Sequence, residues 1–168
     1  MADKIRDEQE RLAELRGYGL LDSENEPEFD AIVREAAAAA GVPIALISLV
    51  DENRQWFKAR VGLNATETPR AISFCTHAIH GTEMLEVADA TADARFATNP
   101  LVTGGPGIRY YAGTPLKTAT GRRLGTLCVI DGQAHGRPMA AETREQLAKL
   151  ADKTVELFEA RRTRLAGT

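Results

Sequence analysis

Arg109 to Asp131 reads R-Y-Y-A-G-T-P-L-K-T-A-T-G-R-R-L-G-T-L-C-V-I-D. The pattern predicts two strands, Tyr110–Lys117 and Leu124–Ile130, joined by a turn centred on Thr120-Gly121. In the second strand Leu124, Thr126, Cys128 and Ile130 fall on one face, and Gly125, Leu127 and Val129 on the other, because successive side chains alternate. Apolarity on both faces marks a central strand that is covered twice. Gly113 and Gly125 interrupt the side-chain rows and predict close approach of another element or a ligand to the backbone.

The remaining segments arrange themselves around this pair. Asp3 to Arg16 is a helical stretch with a thin apolar seam, Ile5, Leu12 and Leu15, stopped by Gly17. A second helix opens on Pro27 and repeats Phe29, Ile32, Val33, Ala36, Ala37 and Ala40 on one face before Gly41 ends it. Ile44–Val50 reads as a buried strand, and Arg54–Val61 as its return, with Arg54, Trp56, Lys58 and Arg60 on a wetter face. Gly62–Pro69 reads as loop, Ile72–Ile79 as a short helix and Leu85–Val87 as a short strand. Asp89–Gly107 is a long irregular segment with at most a helical turn at Ala94–Phe96, and segments of that length inside a domain are usually functional. A final helix runs from about Ala140 to Leu165, with Leu147, Leu150, Leu157 and Leu165 widened by Val155 and Phe158.

Composition bounds the function classes. A chain of 168 residues, 43% hydrophobic and 27% charged, suits one domain with a sizeable core. The net charge of −3 and the lack of a basic run argue against a nucleic-acid partner. Pro43–Val50, the longest apolar stretch, is too short to span a membrane, and no leader pattern opens the chain, so a cytoplasmic location is expected. Cys75 and Cys128 lie far apart in sequence, form no CxxC pair, and are not expected to form a disulfide.

The order of elements describes an α+β domain with one antiparallel sheet. The blocks Y-G-L-L-D (18–22), E-P-E-F-D (26–30), V-P-I-A-L-I-S-L-V-D-E-N-R-Q-W-F-K (42–58), E-T-P-R (67–70), S-F-C-T-H-A-I (73–79), N-P-L-V (99–102), Y-A-G-T-P-L (111–116) and R-L-G-T-L-C-V-I-D (123–131) resemble a GAF domain of the bacterial signalling type. That resemblance implies a six-stranded antiparallel sheet, terminal helices on one face and a loop-covered, ligand-sized pocket on the other. It implies a sensory or regulatory role in which a small molecule binds, its identity and any cofactor unknown, and the signal leaves through the terminal helices. Residues 1–17 are expected to form a dimer contact and residues 18–168 the GAF domain. The thin seam and the long final helix together predict a homodimer. A kinase or cyclase output module is the partner the resemblance implies. None follows Thr168, so the chain reads as an excised module or as a single-domain protein whose partner is encoded elsewhere.

Five residues are candidates for a ligand site. Arg109 and Tyr111 share one face of a regular strand, while His77, Asp89 and Phe96 come from segments that would cover the pocket in such a fold. An arginine with aromatic groups suits a small anionic or planar ligand. The plainer reading is that Arg109 pairs with Asp89 or Asp93 and locks the loop. Cys75, His77 and His80 lack a third or fourth neighbouring ligand for zinc, so no metal is expected. Cys75-Thr76-His77 breaks the Cys-His order of chromophore-carrying relatives. No nucleophile–base set, phosphate loop or paired acidic cluster is evident, and the chain is expected to be non-enzymatic. The alternatives are an interaction module with a closed pocket, or a thiol-dependent reductase of a small oxidised substrate.

Overall fold

The computed structural model describes residues 2–167. Six strands, β1 (Ile44–Val50), β2 (Arg54–Val61), β3 (Glu67–Pro69), β4 (Leu85–Val87), β5 (Tyr110–Lys117) and β6 (Arg123–Asp131), form one sheet in the order β3-β2-β1-β6-β5-β4. Every neighbouring pair is antiparallel. The two-sided apolar strand is therefore central, as its pattern predicts: β6 lies between β1 and β5. The chain at 67–69, expected as loop, adds the edge strand β3; three residues are too few to show a period.

Three helices, α1 (Ala2–Gly17), α2 (Pro27–Ala40) and α5 (Ala141–Ala166), contribute to the core on one face. Phe29, Ile32 and Val33 of α2 meet Leu147, Leu150 and Phe158 of α5 and Leu127 and Val129 of β6. Gly41 closes α2 in a left-handed conformation (φ 67°), as its position after the last periodic residue implies. The opposite face is covered by α3 (Phe74–Ala78), α4 (Pro100–Thr103) and the chain between β4 and β5, whose Phe74, Phe96 and Val102 pack on Leu46, Tyr111, Cys128 and Ile130. The segment 89–107 is more ordered than its composition suggests. It holds a 3-10 turn at Ala90–Ala92, a turn closed by Asp93, and the short helix α4 capped by Asn99.

Two bulges move residues off their expected faces. Leu116 pairs with Gly125 but Lys117 pairs with Arg123, so Leu124 is left unpaired and joins the helix-side core with Leu127. Likewise Ile47 pairs with Ala59 and Ser48 with Phe57, which leaves Lys58 as the extra residue of β2 and turns Ala59, next along the strand, into the helix-side core with Trp56. The expected wetter face of β2 is in fact covered. Trp56 is buried and Lys58 is wholly so, its ammonium held by Ser23 Oγ (2.7 Å), the Glu24 carbonyl (2.6 Å) and the Glu26 carboxylate.

The seam expected to dimerise is largely consumed within the chain. Leu12 and Leu15 are buried, and Phe158 sits between Tyr18 and Phe29 with ring centroids 6.2 and 5.5 Å away. Among the described residues, Ile5 and Leu165 are the large apolar side chains that stay exposed. Leu12 and Leu15 of α1 point at the sheet end. Arg161, near the C-terminal end of α5, is also buried. It donates to the Tyr18 and Gly19 carbonyls and to Glu26, joining α5 to the connector between α1 and α2.

Candidate functional site

The candidate site lies on the sheet face away from the terminal helices. Ser73 caps α3, its hydroxyl accepting from the Thr76 amide, and so starts the helix over the middle of the sheet. The first turn points Phe74 and Cys75 inward. Beneath them the two glycine gaps are both used. A Cβ at Gly113 would stand 2.1 Å from the Tyr111 hydroxyl, so the glycine lets that ring lie flat along its own strand. A Cβ at Gly125 would stand 1.8 Å from the Ser48 carbonyl, so that gap admits the neighbouring strand's backbone.

Cys75 Sγ consequently lies 3.2 Å from the Tyr111 hydroxyl and 3.0 Å from Thr126 Oγ1. The Cys128 thiol also interacts with it, so the two cysteines, distant in sequence, are neighbours in the fold. Both are free thiols and both are buried, as expected of Cys128. Burial raises the Cys75 thiol, but hydrogen bonds from Cys128, Ser48, Thr126 and Tyr111 outweigh it and hold the group below its usual range. The neighbouring Cys75 and burial push Cys128 up, and burial pushes the Tyr111 phenol up. Beside the thiols runs a second buried network: Ser48 and Ser73 hydroxyls donate to Gln55 Oε1 at 3.0 and 2.7 Å, and Gln55 Nε2 donates to Thr68. Nothing in the sequence distinguishes these serines and this glutamine from ordinary strand and loop residues.

Three of the five candidate residues are brought together. Phe96 stacks on Phe74 with centroids 4.1 Å apart, His77 meets the Phe96 ring edge-on at 4.9 Å, and Tyr111 lies 5.1 Å from Phe74. Phe96 and Tyr111 are buried, so aromatic packing occupies the space in which a ligand was expected. His77 stays exposed at the rim of a cavity of about 420 Å³ shared with Ser73, Thr76 and Arg70. Burial and the nearby Arg95 lower its pKa, favouring the neutral ring.

Asp89 and Arg109 do not join the aromatic group. Asp89 caps the Ala90–Ala92 turn through the Thr91 amide and hydroxyl. Arg109 donates to the carbonyls of Val102 (2.8 Å) and Ile108 (3.1 Å), and so braces the segment as the plainer reading expected, although not through Asp89 or Asp93. Asp93 is taken by Arg95. Arg70 binds Glu8 and the Asp51 carbonyl, while Glu67 pairs with Arg54. Among the described residues no three His, Cys, Asp or Glu side chains converge as metal ligands, and no helix is long and apolar enough to cross a membrane.

Comparison with known proteins gives this geometry its family. The profile of the GAF domain matches residues 24–155. A cyclic di-GMP phosphodiesterase, PA2567 of Pseudomonas aeruginosa, is 50% identical over 134 residues. The match covers 80% of this chain and 23% of that protein, so the chain spans about a quarter of the length of its curated relative. The GAF domain of an Acinetobacter phosphoenolpyruvate-protein phosphotransferase superposes with a TM-score of 0.66 at 18% identity, over 95% of both chains. A type II free methionine-R-sulfoxide reductase of Thermoplasma acidophilum superposes at 0.63 with 12% identity, over 79% of this chain and 91% of its own. One expectation is overturned here: the sequence reads as non-enzymatic, and its half-identical relative is named as an enzyme. By profile, sheet topology and neighbours alike, this chain belongs to the GAF domain family.

Proposed function

We propose that the chain regulates cyclic di-GMP hydrolysis, sensing a small molecule on the loop-covered face of its sheet and passing the signal out through α1 and α5. The observation that carries this reading is the 50% identity to a cyclic di-GMP phosphodiesterase. It replaces the kinase or cyclase output with a phosphodiesterase.

The geometry supports a relay. The loop-side core and the helix-side core share β1, β5 and β6, with Cys128 and Ile130 on one side and Leu127 and Val129 on the other. A change in the cover over Cys128 is therefore felt under Phe158. Arg161 then ties α5 to the chain entering α2. His77, Phe96 and Tyr111 are the groups a ligand would meet on displacing the Phe96 ring, and Arg109 and Asp89 hold the segment that must move. Such a ligand acts only by binding the open arrangement more tightly than the closed one.

The test is a chimaera in which this chain replaces the matching segment of the Pseudomonas relative, assayed for cyclic di-GMP hydrolysis. The expected result is an active chimaera whose rate changes several-fold with Phe96→Ala or Arg109→Ala. A rate indifferent to both substitutions, in protein that stays folded, would remove the regulatory reading.

A further inference from the structure

The first half of α1, the 70–80 segment and the β5–β6 turn enclose a groove of about 580 Å³ that the candidate site does not use. Lys4, Arg11, Arg70, Arg122 and Arg123 line it, against the carboxylates of Asp7 and Glu8, with His80 at the edge. This positive concentration occurs in a chain whose net charge is −3. Even after Glu10 is set against its partner Arg122, two positive charges remain uncompensated. Two cations are without partners: neither the Lys4 ammonium nor the Arg123 guanidinium makes an ion pair or hydrogen bond with any described residue, while Arg11 and Arg70 share Glu8.

The deeper end is occupied by the protein's own anion. Glu8 receives Arg11 Nε and Nη2 at 3.0 and 2.8 Å and Arg70 Nη1 at 2.7 Å, one carboxylate shared by two guanidiniums. Arg11 is fixed from behind by the carbonyls of Val50 and Leu124. Arg70 is fixed by the Asp51 carbonyl. The donors are thus pre-positioned whether or not Glu8 is present. Glu8 itself keeps 32% of its side-chain exposure, and among the described residues its helix contributes only Leu12 and Leu15 to the buried apolar surface.

We propose that this groove binds a small phosphate-bearing anion, which replaces the Glu8 carboxylate on Arg70 and Arg11, is completed by Lys4 and Arg123, and loosens the first half of α1. Planar guanidiniums converging on one point are the arrangement that recognises phosphoryl oxygens in pairs. Release follows from the same contacts. Besides the two leucines, the second half of α1 is held by Arg11 on the Val50 and Leu124 carbonyls, Glu14 to Thr120 and Arg16 to Glu52, and the first half by Glu8 to Arg70 and Glu10 to Arg122. An anion in the groove competes directly with Glu8 for Arg70 and screens Glu10 from Arg122. The site is separate from the aromatic face, and α1, which it loosens, is one of the two helices through which the relay proposed above leaves.

Pyrophosphate, titrated into the ¹⁵N-labelled chain at constant ionic strength, tests this. The expected result is saturable shifts confined to α1, the amide of Arg70 and residues 120–123. Lys4→Ala with Arg123→Ala, both unpartnered, should leave the spectrum folded and weaken binding at least roughly tenfold, since two charge-assisted hydrogen bonds are lost. Glu8→Gln should tighten binding several-fold, because the internal competitor is removed; a merely structural Glu8 would not do that. The proposal is overturned by shifts spread over other basic residues such as Lys149 and Arg162, by unchanged affinity in the double variant, or by weaker binding in Glu8→Gln. Co-sedimentation with phosphatidylglycerol vesicles that outcompetes pyrophosphate would reassign the groove to a lipid surface and sink the small-anion claim.

Discussion

Replacing Glu26 by glutamine tests the central electrostatic claim about this fold, that one carboxylate holds two buried cations. Glu26 faces Lys58, Arg161 (2.7 Å) and Arg164 (3.3 Å). Lys58 is fully buried and Arg161 is 8% exposed, so neither can recover hydration when the carboxylate is removed. Leaving a buried charge without its partner costs about 3–5 kcal/mol. Lys58→Met is the contrasting change. It removes the buried charge, keeps a flexible side chain of similar length in the same space, and leaves Glu26 paired with two arginines. Its cost should be about 1–2 kcal/mol, mainly the Glu24 carbonyl left without its donor. Urea denaturation of the two single variants and the double variant completes a cycle. With Lys58 gone, the amide introduced by Glu26→Gln has only one buried cation, Arg161, to satisfy. The double variant should therefore be less destabilised than the sum. For a domain of this size, Glu26→Gln should lower the melting temperature by roughly 10 °C. The pH dependence follows the same logic. Burial raises the Glu26 carboxyl, but Lys58 and Arg161 hold it below its ordinary value of 4.5. Its contribution is therefore complete above pH 4.5 and is lost as pH falls through the folded value. If Lys58→Met proves as costly as Glu26→Gln, or the two add without coupling, the shared-carboxylate reasoning is wrong.

Gly125→Ala places a methyl against the Ser48 carbonyl and Leu49 Cα, backbone atoms of the central strand that cannot step aside, and should cost about 3 kcal/mol or more in urea unfolding. Cys75 and Cys128 should resist a thiol reagent in the native chain and react together only as it unfolds; rapid native labelling of Cys128 would contradict the placement of β6. Arg109→Ala should speed hydrogen exchange at Val102–Ile108 with little change in global stability, and unchanged exchange there would show that the two carbonyl bonds do not brace the segment. Glu8, whose burial is outweighed by Arg11 and Arg70 so that its pKa falls to about 2, should keep α1 docked above pH 4.5 and release it as pH drops toward 2, visible as rising ¹⁵N mobility confined to residues 3–12.

How the candidate site is built shows where sequence reasoning stops. Bringing Cys75 beside Cys128, or placing Gln55 between Ser48 and Ser73, depends on α3 lying across β1 and β6. No local pattern encodes that crossing, because each contact joins residues whose own neighbours are satisfied by other contacts. Phe96 belongs to the covering segment, yet its ring turns inward to stack on Phe74 rather than to frame an opening. An apolar ring in a polar segment announces burial but not what it will be buried against. Arg70 illustrates the same limit: its charge is evident in the sequence, and its partner, Glu8, lies far back on a helix with little apolar reason to dock there.

What the sequence determined by itself is what periodicity carries. The alternation in Leu124–Ile130 makes a central strand, the 3.6-residue repeat from Phe29 to Ala37 makes a helix on a sheet, and Gly41 stops it. These signals survive because each element needs only its own residues to present an apolar face. Tertiary structure alone decided the faces at the two bulges. One unpaired residue reverses the side-chain phase, carrying Leu124 and, beyond Lys58, Ala59 into the helix-side core. It also decided where the apolar stripe of α1 is buried. Three apolar residues in a helix state that something should cover them, but only the position of the sheet end, with the carbonyls of Val50 and Leu124 turned toward Arg11, covers Leu12 and Leu15 and leaves Ile5 exposed.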